Sequence, residues 1–169
     1  MTHNYESRVG MGFDVHKFCA PVNQENNTIM LCGVAVKHPY SLEGHSDADV
    51  GIHAAVDAIL GAIAAGDIGT HFPPTEEKWK DKNSTHFLDH ARHLVSEMDA
   101  QIVNIDITII CERPKILPYM EKMRKTIAKI LDIDYARVSI KATTTEKLGF
   151  TGRGEGIAAQ AITSIRVKI

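Results

Sequence analysis

Two short segments of the chain combine imidazole and carboxylate side chains at spacings that could bring them to one metal ion. Asp14 and His16 are two residues apart in an apolar stretch, so on a β-strand both side chains leave the same face. Asp49, His53 and Asp57 recur every four residues, so on a helix they share one face. Zinc binds imidazole and carboxylate, and a catalytic zinc site keeps a position open beyond three protein ligands. Asp14, His16 and His53 would form such a set. We favour it over the alternative, in which His53 is a buried histidine with structural partners only.

A second group of polar residues lies in segment 141–156, KATTTEKLGFTGRGEG, where a predicted strand runs into a glycine-rich turn. Its threonine hydroxyls, its backbone N–H groups and Arg153 could bind phosphate oxygens. Glu146 could ligate a hard cation such as Mg²⁺. The alternative is a tight hairpin whose glycines serve only to reach positive φ, and the residues alone do not decide between the two. The segment is not a Walker A loop, because it lacks the GxxxxGK[ST] pattern.

A third motif, Gly66-Asp67-Ile68-Gly69, follows a predicted helix. Asp67 could accept hydrogen bonds from a ribose diol. A turn at the carboxyl end of a helix explains the glycines equally well, and on these residues alone we favour that structural interpretation.

The elements that must position these groups can be predicted from the periodicity of the apolar residues. Strands are expected at 6–15, 29–36, 105–109, 138–145 and 156–169, and helices at 47–65, 84–99 and 119–131, with polar loops at 19–28 and 72–83. Ser46 is the expected N-cap of the first helix and Gly66 its stop. Gly10 and Gly12 would let another backbone approach the first strand closely. This order predicts one α+β domain over residues 1–169, a two-layer sandwich with helices packed on one face of a mixed β-sheet.

The bulk composition narrows the class of protein. A hydrophobic content of 44% and a charged content of 24% are typical of a globular domain. The net charge of −2 argues against a nucleic-acid-binding surface. There is no apolar run long enough to span a membrane, and the three widely spaced cysteines favour reduced thiols. We therefore expect a cytoplasmic protein that binds neither nucleic acid nor membrane.

Four segments together resemble the family of 2-C-methyl-D-erythritol 2,4-cyclodiphosphate synthases, enzymes of the non-mevalonate isoprenoid pathway. They are RVGMGFDVHKF (8–18), GHSDADVGIHAAVDAILGAIAAGDIGTHFP (44–73), ICERPKILP (110–118) and KATTTEKLGFTGRGEGIA (141–158). Because they extend from the first predicted strand to the last, the resemblance covers essentially the whole chain.

The resemblance implies a role for particular residues. The family's zinc ligands fall on Asp14, His16 and His53, and its second cation, Mg²⁺ or Mn²⁺, falls on Glu146. His45 and Thr144 match positions that support the transition state. The positions matching substrate-binding residues are Ser46, Asp67, Ile68, Gly69, Phe72, Cys111, Pro114, Lys115, Leu117, Thr143, Thr145, Phe150 and Arg153. The family is a homotrimer with active sites at subunit interfaces.

The implied reaction is an intramolecular phosphoryl transfer on a small cytidine diphosphate substrate. The 2-phosphate of 4-diphosphocytidyl-2-C-methyl-D-erythritol 2-phosphate attacks the β-phosphorus, a cyclic diphosphate forms and CMP leaves, which makes the enzyme a phosphorus-oxygen lyase. Two alternatives use the same residues. One is a metal-dependent phosphohydrolase that activates water. The other is a module that binds prenyl diphosphates without turnover.

Overall fold

The computed structural model describes residues 4–21, 27–73, 75–76, 79 and 82–169. Within these ranges the strands are β1 (Tyr5–Pro21), β2 (Thr28–Leu31), β3 (Val34–Lys37), β4 (Tyr40–Leu42), β5 (Ala100–Ile110), β6 (Val138–Thr143) and β7 (Gly156–Lys168). The helices are α1 (Val50–Ala62), α2 (Ile68–His71), α3 (Thr85–Glu97), α4 (Met120–Leu131) and α5 (Gly149–Gly152). Short 3₁₀ turns lie at Leu117–Tyr119 and Tyr135–Arg137.

Five strands form one mixed sheet in the order β4-β1-β7-β5-β6. β1 and β5 both pair antiparallel to β7, whereas β5 and β6 run parallel. Helix α1 packs on β1 and β7, α3 packs on β5, and α4 packs on β6. The predicted α+β sandwich with a mixed sheet and helices on one face is confirmed.

The core follows from the alternation of side chains along the central strands. In β5, Ile105, Ile107 and Ile109 are fully buried, while the residues between them lie on the other face of the sheet. Helix α1 supplies the opposing layer, and all but two of its residues are buried. A helix that is apolar on nearly every side requires burial between the sheet and the neighbouring helices.

Two glycines of β1 allow α1 to approach the strand backbone to backbone. A Cβ atom at Gly10 would lie 1.9 Å from the carbonyl oxygen of Ala58, and one at Gly12 would lie 2.0 Å from that of Ala54. Both distances are far below van der Waals contact, so no side chain fits at either position. The predicted close approach is confirmed, and its partner is the helix that carries His53.

The first helix starts later than the sequence predicts, and Ser46 is not its N-cap. Helix α1 begins at Val50, and the side chain of Asp49 accepts the Ile52 N–H at 3.1 Å. Ala48 has φ of 54°, a left-handed conformation that the helix cannot include. The helix also ends at Ala62 rather than Ala65.

The sequence predicts a strand at 29–36 that could bend at Gly33, and the structure has a hairpin of β2 and β3 that turns at Cys32 and Gly33. Cys32 and Gly33 both have positive φ, 49° and 74°, as in a two-residue hairpin turn. The buried carboxylate of Asp49 accepts the N–H groups of both turn residues, at 2.7 and 2.6 Å, and so joins this turn to the start of α1.

Two predicted loops lie partly outside the described residues. β1 continues to Pro21, so the predicted loop 19–28 starts too early, and residues 22–26 are not described. Of the predicted loop 72–83, residues 74, 77–78 and 80–81 are not described. In segment 141–156, the interpretation as a simple hairpin is wrong, because α5 lies between β6 and β7.

Candidate active site

Asp14, His16 and His53 converge with one ligand atom each. His53 Nδ1 lies 3.0 Å from Asp14 Oδ2 and 3.0 Å from His16 Nε2, and the third side of the triangle, His16 Nε2 to Asp14 Oδ2, is 3.1 Å. Asp14 and His16 come from the helix-facing side of β1, and His53 comes from the first turn of α1. The interpretation of His53 as a histidine with structural partners only does not account for this convergence.

The chemistry of this triad fits a divalent cation. The Glu43 carbonyl can only accept a hydrogen bond, so His16 Nδ1, 2.7 Å away, donates, and in the neutral ring Nε2 presents its electron pair to the centre. Ligand atoms of a tetrahedral zinc site are about 3.3 Å apart for bonds of about 2.05 Å. The sides of the triangle are close to that value, and three protein ligands leave the open position of a catalytic site.

The electrostatics of the triad favour a positive charge at its centre. Burial acts to raise the pKa of Asp14, but the hydrogen bonds and charges of His16 and His53 outweigh it and hold that pKa well below its usual range. Burial acts to lower the pKa of His16, and its contact with Asp14 outweighs this and raises the pKa. A site that stabilises an imidazolium and a carboxylate together also stabilises a metal cation.

A cavity of about 220 Å³ opens beside the triad. Its lining is His16, His45, Ser46, His53, Ile68, Gly69, Phe72, Trp79 and Phe87. The rings of Phe72 and Phe87 lie 4.4 Å apart and form an apolar wall facing the polar residues. The sequence-predicted residues His45, Ser46, Ile68, Gly69 and Phe72 are thus brought together at one cavity.

Asp67 and Asp57 hold the backbone next to this cavity. Asp67 caps the short helix α2 by accepting the Thr70 N–H at 2.8 Å and its hydroxyl at 2.7 Å. Asp57 Oδ1 accepts the Ile68 N–H at 2.8 Å, and burial raises the pKa of Asp57. Neither Asp67 nor Asp57 belongs to the Asp14–His16–His53 triad. On the helical face that Asp49, His53 and Asp57 share, only His53 is a candidate ligand, while Asp49 and Asp57 accept hydrogen bonds from backbone N–H groups of other segments, among the described residues.

A second cavity, of about 290 Å³, lies at the carboxyl ends of β5 and β6. Its lining includes the predicted residues Cys111, Pro114, Lys115, Leu117, Thr143 and Thr144. Burial raises the pKa of the Cys111 thiol to about 11, so this thiol stays protonated near neutral pH and contributes shape rather than nucleophilicity.

Glu146 follows this cavity on an exposed turn. Glu146 and Lys147 both have positive φ, 53° and 64°, and Thr144 donates its hydroxyl to Glu146 at 3.0 Å. Glu112 Oε1 accepts the N–H groups of Thr145 and Lys147, each at 3.2 Å, and so fixes the turn from the carboxyl end of the neighbouring strand β5. The Thr145 hydroxyl is engaged within the turn, 2.6 Å from the Leu148 carbonyl oxygen.

The metal triad and the Glu146 turn are separated within one chain. β1 and β6 are three strand spacings apart in the sheet, or about 14 Å at about 4.8 Å per spacing. Glu146 does not join the Asp14–His16–His53 group among the described residues. Phe150 lies in α5, and Arg153 is exposed and paired with Glu155 at 2.9 Å.

Sequence reasoning missed the groups that orient the site. They are the Glu43 carbonyl, Asp47 and Ser84 beside the triad, and Glu112 beside the Glu146 turn. Each acts across a sequence separation of 27 or more residues, so no local spacing could identify them.

The chain is similar to known proteins over nearly its whole length. It is 60% identical over 158 residues to the bifunctional enzyme IspD/IspF of Novosphingobium aromaticivorans, covering 94% of this chain but 40% of that protein. It therefore spans about two fifths of the length of that relative.

Two solved structures match both chains almost completely. The IspF–CDP complex of Plasmodium falciparum has a TM-score of 0.83 at 36% identity, over 96% of this chain and 97% of that one. The 2C-methyl-D-erythritol 2,4-cyclodiphosphate synthase of Plasmodium vivax has a TM-score of 0.78 at 34% identity, over 95% and 97%. The YgbB family model matches residues 7–166. The chain therefore belongs to the YgbB family, together with the IspF-type cyclodiphosphate synthases.

Proposed function

We propose that this chain is a 2-C-methyl-D-erythritol 2,4-cyclodiphosphate synthase, a lyase of the non-mevalonate pathway. The convergence of Asp14, His16 and His53 beside a cavity with an apolar wall carries the proposal. Two relatives of matching length are named IspF or cyclodiphosphate synthase, and one of them is a complex with CDP. The substrate would be 4-diphosphocytidyl-2-C-methyl-D-erythritol 2-phosphate, and the products the cyclic diphosphate and CMP.

The reaction needs positioning more than proton transfer. The attacking group is a phosphate monoester oxygen, which is largely anionic near pH 7 because the second pKa of a phosphate ester is about 6. This oxygen attacks the β-phosphorus, and the bond from that phosphorus to CMP breaks. The transition state is loose, so orientation and charge stabilisation account for most of the rate.

The residues of the chain divide this work. Asp14, His16 and His53 would hold zinc, and Glu146 would hold Mg²⁺ or Mn²⁺. A divalent cation at each place supplies charge neutralisation and Lewis-acid polarisation of phosphate oxygens.

The remaining contacts orient the two ends of the substrate. The wall of Phe72 and Phe87 limits water near the reacting phosphates. The cavity lined by Cys111, Pro114 and Thr143 would take the cytidine, and His45 and Thr144 would contact the phosphates as they react.

We further propose a homotrimer in which neighbouring subunits complete each site. The outer face of β1 exposes a row of apolar side chains, with Val9 68%, Met11 57% and Phe13 53% exposed. Apolar rows of this kind on a sheet favour burial against another surface. Since β1, which carries two triad ligands, and β6, which leads into the Glu146 turn, are three strand spacings or about 14 Å apart, a second copy could bring its own turn to the triad. The free thiols of Cys19, Cys32 and Cys111 are consistent with the reducing cytoplasm.

The activity can be tested by incubating the purified protein with the linear substrate and Mg²⁺. Phosphorus NMR should show the cyclic diphosphate and CMP in equal amounts. Release of inorganic phosphate would instead identify a phosphohydrolase, and binding without any product would identify a module without turnover. Analytical ultracentrifugation should give three times the mass of the chain.

Among the described residues, no helix has both the length and the apolar character to cross a membrane.

A further inference from the structure

His53 contacts two different groups of partners through its two ring nitrogens. Nδ1 faces Asp14 and His16 at the centre of the triad. Nε2 points the other way, 2.9 Å from the Ser84 hydroxyl oxygen and 3.1 Å from that of Ser46. The ring can serve as a metal ligand through Nδ1 only if the proton of the neutral imidazole is on Nε2.

Ser84 is held by Asp47 from two sides. The Ser84 N–H lies 3.2 Å from both carboxylate oxygens of Asp47, and the Ser84 hydroxyl donates a short hydrogen bond to Oδ1. Ser84 is fully buried, and the Asp47 N–H donates to the Lys82 carbonyl at 3.3 Å. The start of α3 is thereby fastened to the segment that precedes α1.

The direction of these hydrogen bonds is determined by counting protons. A carboxylate only accepts, so the single hydroxyl proton of Ser84 goes to Asp47. The Ser84 oxygen then has only electron pairs for His53, so Nε2 must donate to it. The Ser46 oxygen accepts the Ala48 N–H at 3.2 Å and keeps its own proton, which the Ser84 oxygen 3.4 Å away can accept because the Ser84 proton is already given to Asp47.

We propose that Asp47 and Ser84 are positioning residues that fix His53 in its Nε2–H tautomer and so present Nδ1 to the cation. The relay runs from the Asp47 carboxylate through the Ser84 hydroxyl to the His53 ring. It rests on the proposed function only in taking a divalent cation as the ligand of the triad. Partners of this kind behind a ligating histidine change metal affinity by about 10- to 100-fold.

The test measures zinc affinity without substrate, by competition with a chromogenic chelator. Ser84→Ala removes the nearer of the two hydroxyl oxygens beside Nε2, the one that Asp47 orients, and should weaken zinc binding by about 10- to 100-fold. Asp47→Asn keeps the shape, but its amide can donate to Ser84, so the bias toward one tautomer is lost and zinc binding weakens as well. Ser96→Ala is the matched control, because Ser96 is on the same helix and its hydroxyl donates, among the described residues, only to the Arg92 carbonyl of that helix.

Three further measurements separate positioning from a general loss of structure. Nitrogen NMR of the zinc-loaded protein should show a proton on His53 Nε2 that is held by a hydrogen bond in the wild type and less well held in Ser84→Ala. In the double variant, the loss of zinc affinity should be no larger than in Ser84→Ala alone, since Asp47 acts through Ser84. Thermal unfolding of each metal-free variant checks that the triad is still folded.

The outcomes distinguish this inference from the proposed function. Zinc affinity of Ser84→Ala equal to that of Ser96→Ala, or a His53 Nε2–H that is held equally well in the zinc-loaded wild type and in Ser84→Ala, would overturn the relay and leave the cyclase proposal intact. If Ser84→Ala binds zinc more weakly but the wild-type protein makes no cyclic diphosphate, the relay is supported and the cyclase proposal is rejected. A wild-type protein that binds no divalent cation would reject both.

Discussion

The metal triad and the Glu146 turn differ in almost every physical respect. The triad sits on a long strand and the first turn of a helix, and His53 is only 8% exposed. Glu146 lies on an exposed turn, where it and Lys147 both have positive φ. Among the described residues outside segment 141–156, only Glu112 contributes a side-chain hydrogen bond to this turn.

This difference indicates how the two regions bind their ligands. Metal ligands must keep their mutual distances within a few tenths of an ångström, and regular elements provide that precision better than loops. An exposed turn can instead adapt to a substrate or to a neighbouring subunit. We therefore infer that the triad is complete in one chain, whereas the Glu146 turn becomes part of a site only where a second surface meets it.

The largest effect should come from removing a ligand of the triad. His53→Ala should abolish zinc binding and lower turnover on the order of 10³-fold or more, because the Lewis acid supplies several kcal/mol. Zinc content and the rate of CMP release measure this. Circular dichroism should show an intact fold, and His93→Ala, at an exposed position on α3, should behave like the wild type. Wild-type turnover in His53→Ala would sink the zinc assignment.

A mixing experiment tests whether the two regions act from different chains. His53→Ala and Glu146→Ala should each be nearly inactive alone. Randomly mixed trimers should recover about one quarter of the wild-type rate, since one ordered pair of neighbours in four joins an intact triad to an intact turn. CMP release after co-refolding measures the recovery. If the mixture stays as inactive as its components, the site does not combine two subunits.

A smaller effect is expected from loosening the Glu146 turn alone. Glu112→Ala leaves the Thr145 and Lys147 N–H groups without their acceptor, which should lower turnover by about tenfold for a loss of about 1.5 kcal/mol. Zinc affinity measured without substrate should not change, because neither Glu112 nor the turn supplies a ligand atom to the triad. Glu112→Gln keeps an acceptor oxygen and should retain most of the activity. Equal losses of zinc and turnover in Glu112→Ala would contradict the separation of the two regions.

The smallest effect concerns the stability of the strand that carries the triad. His38 stacks on Phe18 of β1 at 4.5 Å, and burial lowers its pKa below the ordinary value of 6.5. The unfolded chain therefore takes up the proton first, so stability is full above pH 6.5 and falls as the pH drops below it. One such group accounts for at most about 1.4 kcal/mol for each pH unit. Urea unfolding at several pH values measures the slope, which should be smaller in His38→Gln; an unchanged slope would reject this role.

Part of the site could be predicted from the sequence because the relevant spacings are local. Asp14 and His16 share a strand face at a spacing of two, and His53 stands on a helix with a recognisable apolar pattern. The start of that helix could not be placed, because Ser46 and Asp49 are both good N-caps and the choice depends on Ala48 adopting positive φ.

The remaining features depend on contacts between distant segments. Asp49 caps α1 and also holds the turn at Cys32 and Gly33, which the strand pattern of 29–36 conceals. The contacts of Glu112 with the turn at Lys147 depend on the parallel pairing of β5 with β6, which neither segment specifies alone. Family resemblance identified candidate residues such as Glu146 and Phe150, but their roles in this chain stay predictions.

The glycines of β1 have a mechanical consequence for the metal centre. Where α1 rests on Gly10 and Gly12, the contact joins backbone to backbone and contains no side-chain torsion that could rotate. The distance from Asp14 and His16 on β1 to His53 on α1 is therefore set by main-chain contacts rather than by the packing of side chains. The three ligand atoms already lie within 4.8 Å of one another without an ion, so the candidate site is arranged by the main chain before any cation binds.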